Sequence, residues 1–186
     1  EFSCLQEEIT QRYNLAELAA VPRIGAVRRM YKKLTFDPSR YRPASEAMVR
    51  RILQGKGLYC VNSAVDVNNY CSVKFLLPMG LYDLGRIHGD VRYLVAASGT
   101  YTNIAGNSVS TDGKPFLADE LGVFGNPTAD SQRTAVTMDT DKLLSVIYPD
   151  SEIDSQELEA IVNFTASMLK SYNGGTIAAA GNIEGN

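Results

Sequence analysis

An α+β fold, with helices first, a β-rich middle and one closing helix, is what the sequence predicts, and three observations lead to it. Apolar residues recur at three- and four-residue steps through the first 75 residues and again after Asp154, the period of helices with one buried face. Residues 90–148 instead break into short runs rich in Val, Leu, Tyr, Phe and Thr, separated by Gly, Asn, Asp and Pro, the pattern of strands and turns. With 186 residues and 45% hydrophobic content the chain can bury one core, and no repeat or low-complexity linker divides it. A single domain over 1–186 is expected.

Taken in order, residues 6–18 read as a first helix. Pro22 opens a second, with Ile24, Val27, Met30, Tyr31 and Leu34 as its apolar stripe. The two prolines of F-D-P-S-R-Y-R-P (36–43) make a turn, and Ala44 to Leu53 forms a third helix that faces Val49, Ile52 and Leu53 inward and ends at Gly55 and Gly57. In the stretch 61–83, Ala64, Val67, Tyr70 and Cys71 make a fourth stripe, Ser63 with Asp66 reads as a capping box, and Pro78 with Gly80 ends the helix. Strands are expected at 90–97, 99–104, 114–117, 121–124, 134–138 and 143–148. Asp154, boxed by Glu157, caps a last helix in which Leu158, Ile161, Val162, Thr165, Met168 and Leu169 share a face until Asn173-Gly174 stops it; the tail 178–186 reads as loose.

The formal charge of −3 conceals an asymmetry, because residues 23–56 hold ten Lys or Arg against Asp37 and Glu46, a local charge of +8 that leaves −11 elsewhere. A polyanion would meet this segment, through Arg28, Arg29, Lys32, Lys33, Arg50 and Arg51; a solvated basic helix surface is the other reading. No apolar run approaches a membrane span and no signal peptide is visible, although the chain starts at Glu1 rather than Met, which leaves a removed targeting segment open. Three cysteines without a C-x-x-C spacing fit reduced thiols in a cytoplasm, with Cys60 and Cys71 buried and inert. No metal site and no cofactor is expected.

His88 is the only histidine, which removes catalytic triads and histidine-rich metal sites, and no P-loop, G-x-G-x-x-G or H-E-x-x-H is present. Chemistry then falls to carboxylates and amides. Asp83, Asp119, Glu120 and Asp130 lie in turn-rich segments, where they either position water or serve the backbone of the turn. Arg133, between strand-forming residues, needs a carboxylate partner or an anionic ligand. Asp66 and Asn69 share a helix face, a polar seam that is either internally satisfied or able to orient a ligand.

The pieces R-P-A-S-E-A-M-V-R-R-I-L, V-N-S-A-V-D-V-N-N-Y, L-P-M-G-L-Y-D-L-G-R-I-H-G-D, L-A-D-E-L-G-V-F-G and S-Q-R-T-A-V, over residues 42–148, resemble the editing and tRNA-binding domain of the phenylalanyl-tRNA synthetase beta subunit. The resemblance implies a β-sandwich of unusual topology layered with helices, the helices of 1–41 before it and the helix of 152–174 after it. It also implies hydrolysis of tyrosine wrongly attached to the phenylalanine tRNA. The family's pocket asparagine falls on Asn69, its histidine on Gly80, and its glutamate on Gln132, with Arg133 and Thr134 following. Gly80 has no side chain to relay a proton, and Gln132 is neutral.

Two functions follow. One is a hydrolase that edits mischarged aminoacyl-tRNA in trans, with Asn69, Asp83 and Glu120 in catalytic roles and Asn69, Gly80, Gln132, Arg133 and Thr134 around the substrate. The other is a non-catalytic module that binds RNA or an amino-acid-like metabolite. Both make tRNA or aminoacyl-tRNA the expected partner; neither membrane nor DNA is expected.

Overall fold

The computed structural model of the chain describes residues 1–34 and 36–183. Four helices come first: α1 (Phe2–Arg12), α2 (Pro22–Lys33), α3 (Ala44–Leu53) and α4 (Ser63–Phe75). Seven short strands follow, β1 (Met79–Asp83), β2 (Arg92–Val95), β3 (Thr100–Thr102), β4 (Ser108–Ser110), β5 (Pro115–Asp119), β6 (Gly122–Gly125) and β7 (Leu143–Ile147), before α5 (Ser155–Asn173) closes the domain. The fold is α+β.

Burial of the predicted stripes assembles the helical layer. Leu5, Ile9, Leu18, Ile24, Val49, Ile52, Val73 and Leu76 form one apolar cluster, and Val27, Tyr31, Val67, Cys71, Leu77, Met79 and Ile161 form a second that reaches α5. Phe75 of α4 meets Phe164 of α5 edge to face at 5.3 Å. All strand pairing is antiparallel: β1 pairs β7, β2-β5-β6 form a three-stranded sheet, and β3 pairs β4. The β1-β7 ribbon meets the three-stranded sheet across Tyr82, Leu117, Phe124 and Tyr148, the third core cluster. Strand β1 is buried along its whole length, between the helical layer and this cluster.

Several local expectations shift. The first helix starts four residues before the expected 6–18 and ends six residues before it, the end being set by extended Tyr13 and a turn in which Asn14 Oδ1 accepts from Ala16 N at 2.9 Å. Asn62, not Ser63, caps α4: its Oδ1 accepts from Val65 N at 2.9 Å, and Asp66 reaches back to Val61 N at 2.8 Å. The expected strand at 134–138 is absent. Ser131 starts a 3-10 turn over Gln132–Thr134, and Thr140 Oγ1 accepts from Thr137 N at 3.0 Å, so side chains take the backbone bonds a ladder needs. Strands β1 and β4 lie outside the expected set, whereas Asp154 caps α5 through Glu157 N at 2.7 Å. Cys60 is exposed rather than buried; Cys71 is buried, and burial pushes its thiol up to about 11. In the tail, residues 184–186 lie outside the described residues.

Glu46 anchors the basic segment. Its carboxylate is 1% exposed and receives Arg28 at 3.0 Å on both oxygens, Arg50 at 2.8 Å and Arg42 at 3.7 Å. Three guanidinium groups that read as surface charge therefore converge on one buried anion. Removing one partner of such a cluster leaves the others desolvated and unmatched, so Glu46→Gln is expected to lower the unfolding free energy by about 3–5 kcal/mol in urea denaturation.

Candidate functional site

A cleft of about 500 Å³ opens between β3, β6 and the 3-10 turn, lined by Thr100–Thr102, Leu121–Val123 and Ser131–Arg133. Its floor is held by hydrogen bonds of backbone groups, one to a side chain and two to other backbone atoms. Ser131 Oγ accepts from Arg133 N at 3.2 Å, Ser131 N donates to Phe124 O at 2.7 Å, and Ile104 N donates to Asp130 O at 3.0 Å. Tyr101, packed edge on against Phe116 at 5.3 Å, donates to Ala129 O at 2.9 Å.

Arg133 is the only charged side chain in the lining, and both of its terminal guanidinium nitrogens are engaged. It grips Asp119 with two nearly parallel bonds, 2.9 Å to Oδ2 and 2.8 Å to Oδ1, and donates to Arg86 O at 3.1 Å and Gly122 O at 3.3 Å. Desolvation pushes the Asp119 carboxyl up, but hydrogen bonds from Arg133, His88 N and Leu121 N and the guanidinium charge outweigh it, so its pKa is lowered. Of the two partners Arg133 was expected to need, the carboxylate is present. The cleft therefore offers hydroxyls, the exposed Gln132 amide and apolar walls with no net charge.

Asp83 and Glu120 are not in the lining. Asp83 is 7% exposed; it accepts from Gly85 N at 2.9 Å and Thr140 Oγ1 at 2.8 Å, and Arg86 Nε stands 3.4 Å away. Glu120 is exposed and lies over Gly89, where a Cβ would meet its Cγ at 2.7 Å. Thr134 is fully buried, and its hydroxyl has no partner among the described residues. On α4 the buried amide is Asn68, which donates to Met79 O at 3.3 Å; Asn69 is half-buried and does not line the cleft.

Gly80 sits beneath a phenol. A Cβ at position 80 would come within 2.6 Å of Tyr82 Cζ, and one at Gly125 within 2.5 Å of the same atom, so the Tyr82 ring lies pressed between two glycines of β1 and β6. Its hydroxyl donates to Asp130 Oδ1 at 2.6 Å and shares a 2.8 Å bond with Tyr148 Oη. Asp130 is half-buried as a residue, yet atoms crowd its carboxyl, and that desolvation raises its pKa from 3.8 to about 7 despite the Tyr82 bond.

The six proposed RNA contacts divide. Arg28 and Arg50 bind Glu46, and Arg29 binds Glu152 at 2.6 Å. Arg51 stacks over Tyr59 at 4.9 Å. Lys32 and Lys33 are exposed, with no ion-pair partner among the described residues.

The family described as the B3/4 domain matches residues 26–174, from within α2 to just past the end of α5. The chain belongs to the B3/4 domain family. This is the domain of the phenylalanyl-tRNA synthetase beta subunit, and five helices with several antiparallel sheets agree with that fold. The B3/4 chain is also similar to the uncharacterized protein YhzB of Bacillus subtilis, 25% identical over 115 residues; the match covers 62% of this chain and 49%, about half, of that relative. No helix among the described residues is long and apolar enough to cross a membrane.

Within this B3/4 fold, the space that a histidine at position 80 needs is filled by Tyr82. The sequence alone did not couple Tyr82, Tyr148 and Asp130; a signal was available in two glycines, Gly80 and Gly125, in strand segments where a glycine marks close approach. Gly80→Ala is expected to destabilise the protein by about 1–3 kcal/mol through overpacking, and the cost is expected to shrink in a Tyr82→Ala background, as read by a double-mutant cycle of unfolding free energies.

Proposed function

We propose that this protein binds the aminoacylated end of a tRNA in the cleft and leaves the ester intact. One observation carries the reading: the cleft has no carboxylate or imidazole in its lining, and its single cation, Arg133, is matched by Asp119. Activation of water needs a base within hydrogen-bond reach, which this lining does not supply, whereas Gln132, the hydroxyls of Ser131, Thr100 and Thr102 and the walls of Tyr101, Leu121 and Val123 suit ribose hydroxyls and an uncharged side chain. Membership in the B3/4 family supports the tRNA context. Phosphates are met at Lys32 and Lys33, an exposed pair in the basic segment.

The test is equilibrium binding of tyrosyl-tRNA and of uncharged tRNA, both with the phenylalanine anticodon, run beside a deacylation assay. Tighter binding of the charged form, lost in Gln132→Ala, with ester loss equal to buffer, is the expected result. Ester loss above buffer that Asn69→Ala, Asp83→Asn or Glu120→Gln removes would replace this reading with a trans-editing hydrolase. For the phosphate contacts, Lys32→Ala with Lys33→Ala is expected to reduce the slope of log affinity against log salt by about 1–2, because two fewer counterions are released. Binding that does not change with salt would sink the RNA reading and leave a small-ligand module.

A further inference from the structure

The segment 126–131 is tied to nearly every layer of the domain. Tyr31 of α2 bonds Thr128 Oγ1 at 3.0 Å, Ala44 N of α3 donates to Pro127 O at 3.0 Å, Tyr101 of β3 reaches Ala129 O at 2.9 Å, and Ser131 N reaches Phe124 O of β6 at 2.7 Å. Within the segment, Asn126 Oδ1 accepts from Thr128 N and Ala129 N at 2.9 and 2.8 Å. These bonds involve neutral groups. A further tie, from Tyr82 Oη to Asp130 Oδ1 at 2.6 Å, ends on a group that can ionise. It lies one residue before the cleft wall begins at Ser131.

We propose that the Tyr82–Asp130–Tyr148 cluster is a proton-operated latch on the cleft: protonated Asp130 holds the Ser131–Arg133 wall, and ionised Asp130 leaves the cluster and releases it. The groups facing Asp130 are phenols, Tyr82 of β1, Tyr101 of β3 and Tyr148 beyond β7. Tyr148 in turn faces Tyr93 of β2 and Tyr31 of α2, and Tyr31 also faces Glu46 of α3. Burial pushes Tyr93 and Tyr101 up to about 12 and the other three higher, so none of them ionises near neutrality. The nearest cation along the chain, Arg133, is held by Asp119. An ionised Asp130 thus has no counter-charge in the cluster, and its donors, the Tyr82 hydroxyl and the Asn126 backbone N–H, favour the ionised form but do not offset the desolvation of the carboxyl.

The direction follows from the absence of a cation facing the carboxyl, with Arg133 held by Asp119, and the carboxyl's pKa, raised from 3.8 to about 7 in place, agrees with it. The latch is strongest below the released value and is lost as pH rises through the held value, which amounts to about tenfold between pH 6 and pH 8. What this does to ligand capture rests on the proposed role of the cleft. The response of the wall does not.

The test is hydrogen exchange on the intact chain without ligand, corrected for intrinsic rates. Protection of the Ile104 and Ser131 amides is expected to fall about tenfold from pH 6 to pH 8 in the wild type. The fall is expected to vanish in Asp130→Asn, which keeps the shape and stays neutral, and to persist in His88→Gln, which removes the single imidazole. Equal protection at both pH values in the wild type, or the same fall in Asp130→Asn, would overturn the latch. Should Asp130→Asn not fold, carbon-13 titration of the wild-type Asp130 carboxyl decides: a midpoint near 7 shared by the Ile104 and Ser131 amide shifts supports the latch, and a midpoint near 4 refutes it. Loss of the latch would leave the tRNA proposal standing, and absence of tRNA binding would leave the latch standing.

Discussion

The domain is built around one buried hydroxyl. Packing the Tyr82 ring between Gly80 and Gly125 fills the space between two sheets, but it carries a phenol oxygen into the core with it. A hydroxyl buried there without partners costs several times what a satisfied one contributes, so Asp130 and Tyr148 must reach it. That requirement positions the segment 126–131, and the cleft wall continues from it. The side chain that closes the core and the shape of the candidate site are therefore consequences of one packing decision.

Three desolvated carboxyl groups show how local surroundings decide the fate of a charge. Glu46 receives three guanidinium groups, Asp119 is gripped by Arg133 with two backbone amides beside it, and Asp130 meets phenols and no cation. For Asp119 the hydrogen bonds and counter-charge win over desolvation; for Asp130 desolvation wins. The outcome is a cleft with no net charge beside a core carboxyl that titrates near neutrality. The same accounting thins the basic segment, since Arg28, Arg42 and Arg50 neutralise an internal anion before any external one, and leaves Lys32 and Lys33 facing solvent.

Sequence periodicity located every helix, because a buried stripe at helical spacing is a property of neighbouring residues; Ile24, Val27, Tyr31, Val49, Ile52, Val67, Cys71 and Ile161 are all buried where the spacing put them. Caps were legible when the partner lay three residues away, as with Asp154 and Glu157, and misplaced where two adjacent polar residues competed, as with Asn62 and Ser63. Strand β1 escaped notice because Pro78 and Gly80 read as a helix stop followed by a turn; only the partner strand β7 makes M-G-L-Y-D extended. Cys60 looked buried from its apolar neighbours, yet Tyr59 and Val61 beside it are themselves exposed.

By itself, then, the sequence determined the α+β class, the positions of the helices, the demand of Arg133 for a carboxylate or an anion, and the resemblance that the B3/4 match bears out. These depend on spacing and composition within short windows. Tertiary structure alone decided that Asp119 answers Arg133, that Glu46 gathers three arginines, that Asn68 rather than Asn69 is the buried amide, and that Tyr82 stands where a side chain at position 80 would have to go. Each of those joins residues far apart in the chain, and desolvation, which sets their chemistry, exists only once the layers have closed around them.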